Sequence, residues 1–245
     1  MSDFFNLYNK ILGSIDTEAY VENLYAGPRW SIAKCEGNLG LAMSTEGSTI
    51  APMFHKRADI MQLSEFSKGI MSWNFPEASL AMAACNAFFN RPERMAEFKC
   101  YEPYENYCTR GLKLSGAVIG LVGHLTITEE MQTKAEKIYI LEKSPQDGDY
   151  PDSACDYILP KCDIVIITGS SIINKTLPHL LQLCENATST ILTGPTVPMC
   201  PALLDCGIDR LAGMIVTKQE EMEVHATSGA FGSPYPSGTT FLLEK

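Results

Sequence analysis

The segment CDIVIITGSSIINKTLPHLL, residues 162–181, runs from an unbroken apolar stretch into Thr-Gly-Ser-Ser and then into a helical pattern that opens at Asn174. An apolar run without polar alternation cannot leave one face in water. It therefore predicts a strand covered on both sides, as in a parallel sheet. The same pattern recurs in GAVIGLVG (116–123), KIYILEK (137–143), STILTG (189–194) and DRLAGMIV (209–216). Helical stretches fall between and after these runs: ITEEMQTKAE, DSACDYIL, NKTLPHLLQLCEN with Pro178 in its first turn, PALLDCG and KQEEMEVHAT. With right-handed crossovers, this alternation builds a Rossmann-like doubly wound α/β domain.

Residues before about 110 have a different texture. Phe4, Leu7, Tyr8, Ile11 and Leu12 fall at helical spacing. RWSIAKCEG and LGLAMST are short runs divided by Gly37-Asn38, a hairpin signal. LSEFSKGIMS, from Leu63, and PEASLAMAACNAFFN, with Pro76 at its start, read as helices. A helix, a small antiparallel sheet and two helices make an α+β module. The stretch KCYEPYENYCTRGLKLSG, with Pro103 and Gly111, reads as an ordered crossover, which puts the boundary near residue 112. The expected organisation is a first domain over 1–111 and a second over 112–245.

Composition excludes several classes. A net charge of −10 repels polyanions, and the chain has no run of Lys and Arg, so nucleic acid is not an expected partner. The first residues lack the basic start and apolar core of a signal peptide, and no apolar run reaches the ~20 residues that span a bilayer. The expectation is a cytoplasmic protein without membrane contact, with room for a homodimer through apolar surface on the small first domain. None of the nine cysteines forms C-x-x-C, and several sit within apolar segments, as free buried thiols do in a reducing compartment.

Ligands of open parallel sheets bind beyond the carboxyl ends of the strands. Four such ends are legible: Gly123-His124, Glu142-Lys143, Thr168-Gly169-Ser170-Ser171 with Asn174, and Thr193-Gly194-Pro195-Thr196. Glycines let backbone amides approach a ligand, hydroxyls add polar contacts, and helix starts favour an anionic group; turns also use these residues for purely structural reasons. Gly116, Gly120 and Gly123 give G-x-x-x-G-x-x-G rather than the dinucleotide fingerprint. Glu142, however, lies about 20 residues on, where a ribose-binding acid would fall. An acidic loop with Asp147, Asp149 and Asp152 follows and is placed to fold over the cleft as a cation or proton acceptor, or to stay solvated. His124 stands where a metal ligand or general acid–base is useful. His179, near an apolar helix face, His225, at a helix end, and His55 read as structural or unpartnered. No H-E-x-x-H motif or nucleophile elbow supports a hydrolase.

GLVGH, LEKSPQDGDYPDSACDYILPKCDIVIITGSSIINKTLPHLL and LTGPTVPMCPALLDCGIDRLAG, with WSIAKCEG and LAMAACNA in the first half, resemble the heavy-metal chelation family over nearly the whole chain. The resemblance implies an enolase N-terminal-like α+β domain, a Rossmann-like domain and a ligand cleft between them. It also implies a role in handling metals or metal-bearing cofactors. The positions matching the family pattern are Asn86, Gly123, His124, Glu142, Pro145, Gly148, Asp149, Thr168, Gly169, Asn174, Gly194, Pro195 and Pro198. Thr196-Val197 departs from it, since Ser-Thr is expected there. The reading is chelation or binding of a metal, or of a small anionic or metal-bearing ligand. His124 and Glu142 are the metal candidates, backbone amides at Gly169–Ser171 and Gly194–Thr196 hold the anion, and Asn86 closes the cleft. Cys200 is a further soft donor. The alternative is an enzyme using a nucleotide or S-adenosylmethionine, with Glu142 on a ribose and His124 moving a proton.

Overall fold

The computed structural model describes residues 4–46, 50–55, 61–100, 108–229 and 232–245. Helix α1 (Asn6–Gly13) buries Leu7, Tyr8 and Ile11, the apolar face its spacing predicts. Strands β1 (Val21–Ala26), β2 (Trp30–Cys35) and β3 (Asn38–Met43) form an antiparallel sheet in that order. Glu36 and Gly37 make the β2–β3 turn at φ 50° and 72°, one residue earlier than the Gly37-Asn38 signal. Sequence reasoning missed β1. Its burial is irregular rather than alternating, and pairing with β2 is what holds it extended. Helix α2 (Leu63–Phe66) tightens into a 3₁₀ turn through Met71, and α3 (Phe75–Phe89) follows. The Asn74 side chain accepts from the Glu77 amide and Pro76 occupies the first turn of α3. Its alanines let β3 lie directly on the helix backbone: a Cβ at Gly40 would sit 2.0 Å from the Ala83 carbonyl oxygen.

The rest of the chain builds a mostly parallel eight-stranded sheet. Its elements in chain order are β4 (Lys99–Cys100), β5 (Val118–Val122), α4 (Glu129–Lys134), β6 (Lys137–Glu142), β7 (Tyr150–Pro151) and α5 (Cys155–Ile158). Then come β8 (Ile164–Thr168), α6 (Ser170–Ile173), α7 (Leu177–Leu183), β9 (Ser189–Thr193), β10 (Arg210–Val216), α8 (Gln219–Thr227) and β11 (Gly238–Glu244). The order across the sheet is β4-β11-β10-β9-β8-β5-β6-β7, with β11 antiparallel to both of its neighbours, β10 and β4. The six parallel strands thus reverse direction of progression between β5 and β8, the switch point where doubly wound sheets open a crevice.

Several local expectations change. Asn174 does not open a helix: Ser170–Ile173 already form α6, Lys175 turns at φ 68°, and α7 begins at Leu177. The Asn174 side chain instead accepts from the amide and hydroxyl of Thr176, a local turn that a helical-periodicity reading overlooks. His179 is exposed and lies 3.0 Å from Asp156 rather than on the apolar face of α7. Strands β4 and β7 went unread because they are two-residue edge pieces, and β11 because it is an antiparallel strand whose mixed residues carry no continuous apolar run. Pro103 lies outside the described residues. Among the described residues no helix is long and apolar enough to cross a membrane.

One apolar cluster runs from α1 and α3 to one face of the large sheet, and a second covers the opposite face around Ile119, Leu121, Ile164 and Ile166. The first half is also tied to the second by buried amides. Asn90 donates to the Val197 carbonyl (2.8 Å) and the Met214 carbonyl (3.2 Å), and accepts from the Met199 amide (2.8 Å). Asn86 donates to Leu41 (2.7 Å) and Thr196 (3.0 Å) carbonyls. Lys175, 4% exposed, donates to the Ile70 and Ile173 carbonyls at 2.7 and 2.8 Å and lies over the Tyr8 ring. Burial pushes its ammonium down to about 7.

Two outcomes follow from these contacts. Asn90→Ala leaves buried carbonyls and an amide without partners, and urea denaturation should show a loss of roughly 2–4 kcal/mol. For Lys175, the folded-state pKa of about 7 lies below the ordinary 10.5, so between those values the unfolded chain holds a proton that the folded chain has released. The stability of wild type relative to Lys175→Met should therefore rise from pH 7 to 10.5 and be flat below 7. A difference that falls over that interval contradicts the buried-amine account.

Candidate functional site

A cleft of about 310 Å³ opens over the carboxyl ends of β5, β8 and β9. Leu121 and Ile166 form its floor, with Thr193, Gly194 and Pro195 on one side and His124 with Thr126 on another. The first half supplies Arg29, Trp30 and Met43, and the segment after α8 adds Ser233 and Tyr235. Gly194 turns at φ 110° at the end of β9, a conformation a glycine accepts readily, and its amide donates to the Ala212 carbonyl.

His124 leaves β5 through Gly123, which has φ 104° and would place a Cβ 3.0 Å from Thr168. The His124 side chain is half exposed, and its Nδ1 lies 3.3 Å from the Asp149 carboxylate, which is 3% exposed and also accepts from the Gln146 amide. The acidic loop thus does reach the mouth of the cleft, through Asp149. A carboxylate at Nδ1 favours a proton there and leaves Nε2 as the acceptor. Glu142 takes the His124 amide on one oxygen (2.8 Å) and the Lys143 amide on the other (2.7 Å), which pins the β5 and β6 ends together.

The residues singled out from the sequence separate into two groups. His124, Gly194 and Pro195 line the cleft. The others do not line it. The Thr168 hydroxyl meets that of Ser170 at 3.1 Å. The Gly169 amide is committed to the Thr193 carbonyl, and a Cβ at Gly169 would fall 2.8 Å from Val197. The Thr196 hydroxyl accepts from the Met43 amide, and Asn86 holds the Thr196 carbonyl. Val197, where a hydroxyl was expected, is fully buried against Gly169, so an apolar side chain belongs there. Arg29, Trp30, Met43 and Tyr235 were missed. They come from strand ends and turns whose importance depends on long-range packing, and only the Gly-Pro-Arg-Trp turn chemistry at 27–30 offered a signal.

A dinucleotide loop is not built. Gly116 precedes β5, at the strand end away from the cleft, Gly120 lies inside β5 under Leu159 and Cys162, and α4 starts only at Glu129. The phosphate-facing helix start that such a loop needs is therefore missing after Gly123. A bare metal ion fits no better. Among the described residues no three of His, Cys, Asp and Glu converge as a metal centre requires, and Glu142 spends both oxygens on amides. Cys200 is fully buried, and burial pushes its thiol up. Burial likewise pushes the thiols of Cys162 and Cys155 up, to about 11 and 12.

A doubly wound sheet with a small α+β module packed over its switch point, and a cleft between them, defines a two-part α/β protein. Residues 112–240 match the DUF364 family, described as "putative heavy-metal chelation", and residues 8–89 match DUF4213, which carries the same description. The chain belongs to the DUF364 family. It is similar over 99% of its length, with 29% identity and a TM-score of 0.85, to the crystal structure of a DUF364 protein of unknown function from Desulfitobacterium hafniense, of which it covers 98%. The fold of a second DUF364 structure, from Pyrococcus horikoshii, matches with a TM-score of 0.80 at 23% identity, over 99% of each chain. An uncharacterised protein from Methanocaldococcus jannaschii is 31% identical over 154 residues. These are 58% of this chain and 55% of that protein, so the match spans about half of its length.

The His124–Asp149 contact makes a specific prediction. In wild type, nitrogen-15 spectra of neutral His124 should show the Nδ1-protonated tautomer. Asp149→Ala should return the ring to the Nε2-protonated form usual for a free imidazole. An unchanged tautomer would assign the ring orientation to other contacts.

Proposed function

We propose that the chain binds a small anionic ligand in the cleft between an enolase N-terminal-like first domain (1–111) and a Rossmann-like second domain (112–245). Any metal arrives within the ligand's own coordination sphere. The observation that carries this reading is the placement of the cleft at the β5/β8 reversal, where open α/β sheets receive ligands, with His124 presented by Gly123 and oriented by Asp149. The description of the family supports a metal-bearing ligand, and the absence of three converging donors among the described residues favours a complex over a free ion. His124 supplies one open coordination position or hydrogen bond. Thr126, Thr193 and Ser233 add hydroxyls, and the apolar floor excludes water from one side of the ligand.

The test is native mass spectrometry together with elemental analysis of protein purified anaerobically without an affinity tag. The expected result is a one-to-one adduct, organic or metal-bearing. In His124→Ala it should be weakened with little change in melting temperature, because the ring is half exposed. A stoichiometric nucleotide or S-adenosylmethionine adduct would replace this reading with the nucleotide-dependent enzyme. A metal ion bound without any organic partner would restore direct chelation.

A further inference from the structure

The charge lining the cleft is opposite to that of the molecule. The chain carries a net −10, yet the described residues lining the cleft include Arg29 and His124 and no Asp or Glu. The two carboxylates that contact His124 are already occupied: Glu142 accepts two backbone amides, and Asp149 takes the Gln146 amide and faces the His124 ring. Arg29 is exposed at the cleft and makes no ion pair or side-chain hydrogen bond among the described residues.

Its backbone is nevertheless held firmly. The Arg29 carbonyl accepts from the Ser44 amide at 2.9 Å, the Gly27 amide donates to the Trp30 carbonyl at 3.1 Å, and the Ser44 hydroxyl donates to the Gly27 carbonyl at 2.7 Å. Ser31 and Ser44 hydroxyls meet at 2.9 Å. A side chain at position 27 would strike the Trp30 and Ala226 carbonyls at 2.6 and 2.8 Å, so glycine is what lets this turn seat against α8. An unpaired guanidinium on a clamped turn, beside a mostly apolar cavity, is a prepared anchor for a carboxylate or phosphate. Next to it Trp30 is 3% exposed, and its indole N–H is buried without a hydrogen-bond partner. Trp30, Met43, Leu121, Ile166 and Tyr235 give the cavity flat apolar walls. At about 310 Å³ the cavity lies at the lower end of the roughly 300–1,000 Å³ typical of ligand pockets.

From these observations we infer that Arg29 is the anion anchor of the cleft and that the ligand is a small acid with a flat, apolar body. The inference rests on the ligand-binding reading above and names the chemistry of its ligand. The acidic head, carboxylate or phosphate, pairs with the guanidinium, and the body lies against Trp30 and the floor of Leu121 and Ile166. His124 meets the end of the ligand distant from the head or a metal carried there.

Methyl-labelled protein, observed through Met43, Leu121 and Ile166, is titrated with 2-naphthoate, 2-naphthyl phosphate and the neutral 2-naphthamide. The expected result is that an acid shifts the cleft methyls with an affinity at least tenfold above that of the amide. Whichever acid binds more tightly assigns the head group. Arg29→Gln should reduce acid binding to the level of the amide with no change in melting temperature, and Arg29→Lys should keep part of the preference. Equal binding of acid and amide, or acid binding unchanged in Arg29→Gln, overturns the anchor while the shifting methyls still uphold the cleft. No methyl shift with any of the three compounds overturns the cleft reading as well.

Discussion

The loop at 196–199, between β9 and β10, presents buried carbonyls of Thr196, Val197 and Met199, and the rest of the structure depends on how these are satisfied. Asn86 and Asn90, one helical turn apart on α3, and Arg94 just beyond it answer them from the other half of the chain. An orphaned buried carbonyl costs free energy comparable to a lost hydrogen bond. The loop therefore cannot hold its shape without α3, and α3 cannot leave without exposing it. The two sheets are fixed relative to one another by this mutual satisfaction as much as by the apolar cluster that crosses between them.

The cleft is a consequence of that docking. The doubly wound sheet alone offers an open crevice at the β5/β8 reversal. The α+β module closes part of it by bringing the β1–β2 turn, with Arg29 and Trp30, against the strand ends. Glycines at two positions make the approach feasible: Gly40 seats β3 on α3, and Gly169 seats α6 beside Val197. The polar groups near the mouth divide their work. Glu142 and Asn86 hold walls in place, whereas His124 and Arg29 face the space a ligand would occupy.

How legible this was depended on range. The apolar runs of β5, β8, β9 and β10 were readable because burial on both faces leaves a local signature, and β6 carries the same kind of run although only Leu141 in it is buried. The helix α3 was readable from the stretch that opens at Pro76, and the structure adds the Asn74 cap before it. Strands β1, β7 and β11 were not, since their partners rather than their own patterns keep them extended. Asn174 was misread for a related reason. Its side chain competes locally with the helix it was expected to start, and periodicity does not register that competition.

For the site, the sequence by itself determined the positions of the strand ends, the glycines that turn there, and His124 beside them. All of these follow from local conformational preference and the length of each apolar run. Tertiary structure alone decided which of those residues line the cleft. Whether a carboxylate such as Glu142 is free or spent on backbone amides, and whether Arg29 meets the cleft at all, depends on contacts between residues far apart in the chain. Hydrogen-bond satisfaction is a property of the packed whole, and no single stretch of sequence carries it.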